Sequence, residues 1–132
     1  MNQRIELLSL LVSDYDEAID FYTKKLHFAL LEDTTLSDTK RWVLVAPFGS
    51  GCCSLLLAKA TDEEQLSRVG NQTGGRVFLS LHTDNIQRDY QNLIDQGITI
   101  VRGPTSESYG MVVVFRDLYG NLWDLIEPIA TH

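Results

Sequence analysis

The sequence of 132 residues predicts an α+β fold in which two tandem βαβββ modules form a curved mixed sheet around a cleft. Three observations carry that expectation. Short apolar runs of strand length flank two stretches in which apolar residues recur at helical spacing. The order strand, helix, strand, strand, strand then occurs twice. Between the two occurrences lies the polar, glycine-rich Gly70-Asn-Gln-Thr-Gly-Gly75. With 44% hydrophobic and 22% charged residues, the composition is that of one globular domain and not of a disordered tail.

Residues Ile5 to Val12 form an apolar run ending at Ser13-Asp14, too short for a helix and suited to a mostly buried strand. A helix follows, because Asp14-Tyr-Asp-Glu17 has capping-box spacing, in which side chains satisfy orphaned backbone N–H groups. Tyr15, Ala18, Ile19, Tyr22 and Leu26 give it one apolar face, and it ends near His27. Phe28–Leu36, Trp42–Pro47 and Ser54–Ala58 read as three strands, the last two a hairpin turned by Pro47-Phe-Gly-Ser-Gly51. This is module 1, about residues 1–60. A connector covers about 61–75, with a short polar helix over Thr61–Val69 opened by a second capping box, Thr61–Glu64.

Module 2, about residues 76–130, repeats the pattern. It has a strand at Val77–His82 and a helix opened by a capping-box pattern at Asp84–Gln87. Ile86, Tyr90, Leu93 and Ile94 line one face of that helix, and Gly97 stops it. Strands follow at Ile98–Val101, Met111–Phe115 and Leu122–Ile126. A shift of 71 residues lays Asp14 on Asn85, Leu7 on Phe78, Ser9 on Ser80 and Leu26 on Gly97. Each half can curl a four-stranded sheet only part of the way round, so the duplication predicts one site between the halves.

Eighteen Asp and Glu against eleven Lys and Arg leave a formal net charge of -7, a field that repels phosphate backbones and anionic lipid. Nucleic acid and membranes are therefore not expected as partners. No apolar run reaches the roughly 18 to 20 residues of a transmembrane helix. Glu6 falls where a secretory leader needs an apolar core, so a cytoplasmic location is expected. The cysteines, Cys52 and Cys53, are adjacent, a spacing that suits two reduced packing residues better than a disulfide or a metal set. Phosphate-loop, nucleophile-elbow and Cys-x-x-Cys patterns are absent, which argues against nucleotide hydrolysis.

The stretches Ser13-Asp-Tyr-Asp-Glu-Ala-Ile-Asp-Phe-Tyr-Thr-Lys-Lys-Leu26, Asp95-Gln-Gly97 and Arg116-Asp-Leu-Tyr-Gly-Asn-Leu-Trp-Asp-Leu-Ile-Glu-Pro128 resemble the vicinal oxygen chelate superfamily. That superfamily holds glyoxalase I, bleomycin-resistance proteins and extradiol dioxygenases. The resemblance covers nearly the whole chain, and its most specific part is Asp-x-x-Gly-Asn at Asp117–Asn121. It implies the glyoxalase/bleomycin-resistance/dioxygenase fold, which hosts lyases, oxygenases, isomerases and plain binders. It also implies a divalent ion held by His and Glu from the first and last strands of each half. Here those positions are Leu7, Phe78, Leu55 or Leu56, and Asp124, of which only Asp124 has a donor side chain. No metal ligand set and no cofactor is therefore expected. The histidines His27, His82 and His132 fall outside these positions.

Strand parity describes the cleft. Leu8, Leu10 and Val12, with Val77, Leu79 and Leu81, should pack beneath the helices. Leu7, Ser9 and Leu11, with Arg76, Phe78, Ser80 and His82, take the other face, which is apolar with a few polar groups, as a small-molecule pocket requires. Arg76 either forks a planar anion or caps its strand towards water. Asp124 either pairs with Arg76 or accepts a ligand proton. The loop Gly103–Gly110 either closes over the cleft as a lid carrying Glu107 and Tyr109, or leaves them as a solvated charge and an edge packing residue. Trp42 either stacks on a flat ligand or joins the core.

Two functions follow from these residues. One is a metal-free protein that binds a small molecule. The other is a lyase, isomerase or dioxygenase of the family, with Asp124 or Glu107 as general base. A homodimer is expected in either case, because a short chain with this many apolar strands leaves sheet edges that a second copy can cover.

Overall fold

Alternation of buried and exposed side chains shapes the first strand, β1 (Leu7–Val12): Leu10 and Val12 are fully buried while Ser9 is exposed. The computed structural model describes residues 1–49 and 53–129, and the chain divides into two units, Met1–Val69 and Gly70–His132. Asp14 starts the first helix, α1 (Tyr15–Asp20), by accepting the Glu17 N–H at 2.8 Å. The helix then widens into a π-helical turn over Phe21–Lys25. His27, at φ 61°, ends it in the left-handed conformation, which lets the Phe28 N–H reach the Tyr22 carbonyl at 2.8 Å.

Three further strands, β2 (Ala29–Thr35), β3 (Arg41–Ala46) and β4 (Ser54–Lys59), give a sheet of order β1-β4-β3-β2. β1 and β4 are parallel neighbours and the other pairs are antiparallel, so the sheet is mixed. One face carries Val43, Val45, Leu55 and Leu57, all buried together with Ala18, Phe21 and Tyr22 of the helical segment. Arg41 ties helix to sheet, bonding Asp16 at 2.9 Å and Asp33 at 2.7 Å, with its guanidinium over the Tyr15 ring. A short helix, α2 (Glu63–Arg68), closes this unit.

The second unit has the same topology. Strand β5 (Val77–His82) leads to α3 (Ile86–Asp95), then to β6 (Ile100–Glu107), β7 (Gly110–Arg116) and β8 (Leu122–Pro128), in the order β5-β8-β7-β6. The first and last strands, β5 and β8, are again parallel neighbours. Helix α3 ends at Gly97, where the Ile98 N–H bonds the Leu93 carbonyl at 3.0 Å and the Gly97 N–H bonds the Ile94 carbonyl at 3.1 Å. The fold is α+β, with two four-stranded mixed sheets that do not close on themselves.

Several expectations change in detail. The second and third helices are capped one residue later than expected. Asp62 accepts the Gln65 N–H at 2.8 Å and Asn85 accepts the Arg88 N–H at 3.1 Å, while Asp84 instead pairs with Arg88. The expected loop at Gly103–Gly110, for which a lid was one reading, is mostly strand, because Thr105, Ser106 and Glu107 pair with Val112, Met111 and Gly110 in a tight hairpin. Ser50, Gly51, Cys52 and His132 lie outside the described residues, so the tip of the β3–β4 turn and the adjacent-cysteine reading do too; Cys53 is half-buried. Among the described residues, no helix is long and apolar enough to cross a membrane.

Candidate functional site

The Asp-x-x-Gly-Asn motif builds the turn that delivers β8. Asp117 and Asn121 are buried, 6% and 3% exposed. One Asp117 carboxylate oxygen accepts the N–H groups of Tyr119, Gly120 and Asn121 at 3.2, 3.1 and 2.9 Å. The other accepts the Asn121 amide at 3.0 Å and the Trp123 indole N–H at 3.2 Å. Asn121 in turn accepts the Gln72 N–H at 3.1 Å. With these donors satisfied, Trp123 sits 2% exposed, stacked on Phe115, and the register of β8 is fixed from its first residues.

That register decides where Asp124 points. Trp123, Leu125 and Glu127 share the face under α3, since the Glu127 carboxylate accepts the Ile86 N–H at the helix start at 2.9 Å. Asp124 therefore lies on the opposite face. Ser80 on one side and Val114 on the other are its ladder partners, and His82, Ile126 and Val112 form the next row. Asp124 is half-buried and its carboxylate accepts no hydrogen bond among the described residues. Burial pushes its pKa above the ordinary carboxylate value, while the charge of Arg102 pulls the other way.

Arg102, which sequence reasoning missed, is the arginine whose charge acts on Asp124. It pairs with Val114 across β6 and β7, on the Asp124 face, because register shifts on both sides of it interrupt the alternation of β6. It also pairs with Glu107 at 3.5 Å, so this candidate base is partnered at the end of β6. Arg76 is exposed at the start of β5, where its carbonyl accepts from the Thr73 hydroxyl, and it forms no ion pair among the described residues. Tyr109 is 55% exposed at the hairpin tip. Phe78 falls in a register shift between Val77 and Leu79, which breaks the parity that put it beside Ser80. It meets the buried Trp123 ring edge-on at 6.1 Å.

The first unit offers an open face of its own. Ser9 pairs with Leu56 and Leu44 pairs with Leu56, so these three share a face with Leu11 and with Trp42, all but Ser9 half-buried. Leu55 points the other way and is 4% exposed, which resolves the alternative between Leu55 and Leu56. The Ser9–Leu56 pair matches the Ser80–Asp124 pair of the second unit. The resemblance places metal ligands at Leu7, Leu56, Phe78 and Asp124. Three of these side chains have no lone pair, and one carboxylate does not make a divalent-cation site. Among the described residues, no three His, Cys, Asp or Glu side chains cluster.

A family model described as the Glyoxalase/Bleomycin resistance protein/Dioxygenase superfamily matches residues 4–125. An uncharacterized protein of Shewanella frigidimarina is 56% identical over 128 residues, covering 96% of this chain and 95% of the relative. Among solved structures, UcmS2 matches with a TM-score of 0.83 at 31% identity, over 96% of this chain and 99% of that one. TnmS3, described as an antibiotic binding protein from Streptomyces sp. CB03234, matches with a TM-score of 0.78 at 30% identity, over 97% and 98% of the two chains.

Proposed function

The chain belongs to the Glyoxalase/Bleomycin resistance protein/Dioxygenase superfamily, and from that premise we propose that it is a cytoplasmic, homodimeric protein that binds a small, partly aromatic molecule without the family's metal. The observation that carries this reading is the makeup of the face of the second sheet that holds Asp124. Asp124 and the exposed Ser80 stand there beside the half-buried Val114 and Leu122, polar groups among apolar ones, as ligand recognition needs. Likeness to an antibiotic binding protein supports it. On the first sheet, half-buried Trp42 beside Leu44 supplies a surface for a flat ring.

Titration with a panel of flat aromatic antibiotics, followed by tryptophan fluorescence and calorimetry, tests this function. Saturable quenching that is lost in Trp42→Phe is expected, with Trp123 as the remaining fluorophore. A panel with no saturable binder counts against it. Equilibrium dialysis against zinc, manganese and nickel should leave the protein without stoichiometric metal, and tight one-to-one binding would overturn the metal-free part.

One observation favours a second reading. Burial moves the Asp124 pKa in the direction a general base needs, which suits a metal-free lyase or isomerase. In that case Asp124→Asn abolishes turnover of whatever substrate the panel reveals.

A further inference from the structure

Strand β2 lies at a sheet edge and buries little of itself. Six of its seven residues are exposed, and β3 is its one ladder neighbour in the sheet. A strand with so little apolar burial resists local opening poorly, so its attachment leans on Arg41. The Arg41 guanidinium forks the Asp33 carboxylate, Nε at 3.1 Å and Nη2 at 2.7 Å, and its remaining nitrogen reaches Asp16 of α1 at 2.9 Å. The Arg41 backbone N–H also donates to the Tyr15 hydroxyl at 3.2 Å. Asp33 is the ladder partner of the fully buried Val43, so this clamp grips β2 from the helix side. Its neighbours alternate to the other side. There Thr34 pairs with Trp42 and Glu32 pairs with Leu44, and the Thr34 hydroxyl donates to Glu32 at 3.0 Å. The second unit shows the same ladder without the clamp. Leu44 corresponds to Val114, partner of Asp124 as Leu44 is of Leu56, so Arg41 corresponds to Met111. Counted from the caps Asp14 and Asn85, Tyr15 and Asp16 correspond to Ile86 and Gln87, and Asp33 falls at Gly103-Pro104. None of these carries a charge, and the unclamped edge β6 has two register shifts where β2 has one.

We infer that Arg41 is a positioning residue for the surface that takes a flat ring: its fork on Asp33 and its bond to Asp16 hold β2 from behind and keep Thr34 and Glu32 beside Trp42. The inference rests on the small-molecule reading above and adds to it that this surface is preformed. Ligand binding and closure of β2 are then linked, each favouring the other.

Amide hydrogen exchange on the full chain, read by NMR at neutral pH, tests it. Asp33→Asn should speed exchange of the β2 amides about tenfold, the scale of one charge-assisted bond, while β7 and β8 amides keep their rates. Arg41→Lys, which keeps the charge and loses the fork, should do the same. In the wild type, saturation with naphthalenemethanol or with a binder from the antibiotic panel should slow β2 exchange, a readout that a merely structural role would not move. Wild-type β2 rates in Asp33→Asn, or a rise shared equally by β7 and β8, overturn the clamp. A compound that quenches Trp42 yet leaves β2 exchange unchanged overturns the positioning role and leaves the small-molecule reading standing. If no compound binds, the small-molecule reading falls and the positioning role falls with it.

Discussion

Asp117 and Asp124 lie on the same stretch of chain and are used in opposite ways. Asp117 accepts at least five N–H donors from its turn and the start of β8, and Asp124 accepts none among the described residues. Replacing Asp117 with Ala strands buried donors, so urea denaturation should show a loss of about 3 kcal/mol. For Asp124 the sign reverses. Burial raises its folded-state pKa above the unfolded value, so its ionised form is penalised in the folded chain. That penalty is absent below the unfolded carboxylate pKa of about 3.9, grows as pH rises through it, and is complete above the folded pKa. Asp124→Asn should therefore melt higher than the wild type at neutral pH, with the gap closing in acid; a gap that persists in acid would point to packing instead. The turn motif around Asp117 was legible in the sequence, and so was Asp124 as the lone donor among its family positions. The arginine whose charge acts on Asp124 was not, because Arg102 comes onto the Asp124 face only through register shifts in β6 that simple alternation does not contain.

Helices and strands were legible by period, and the misses have local causes. Gly103 and Pro104 read as a loop, yet they lie in β6, which is an edge strand; there a proline removes no ladder bond on its outer side. The two principal helices are offset by 71 residues at their caps, Asp14 and Asn85, but by 70 at their left-handed ends, His27 and Gly97. The first helix thus holds one extra residue, which the π-helical turn at Phe21–Lys25 absorbs, and the shift that laid Leu26 on Gly97 fails there. Gly97 faces open space, so Gly97→Ala should cost only the left-handed backbone penalty, about 1 kcal/mol by thermal or urea melts. Gly70 is different. A Cβ on it would fall 1.8 Å from the Tyr119 carbonyl oxygen, inside the turn that Asp117 organises, so Gly70→Ala should destabilise several times more in the same experiment.

Across the whole chain, duplication was legible because both units share one order of elements, and each sheet puts its first strand beside its last. The expected dimer belongs to this scale, where light scattering at micromolar concentration should report about twice the 14.9 kDa of one chain, and a mass of one chain at every dilution would refute it. Parallel pairing of β1 with β4, and of β5 with β8, also has a genetic consequence. The chain can be cut between Val69 and Gly70 without separating any two strands paired in either sheet. A gene in which the second half is written first, joined through a new linker to the first half, would encode the same two ladders. The order of the halves is thus not a requirement of the strand pairing in either sheet.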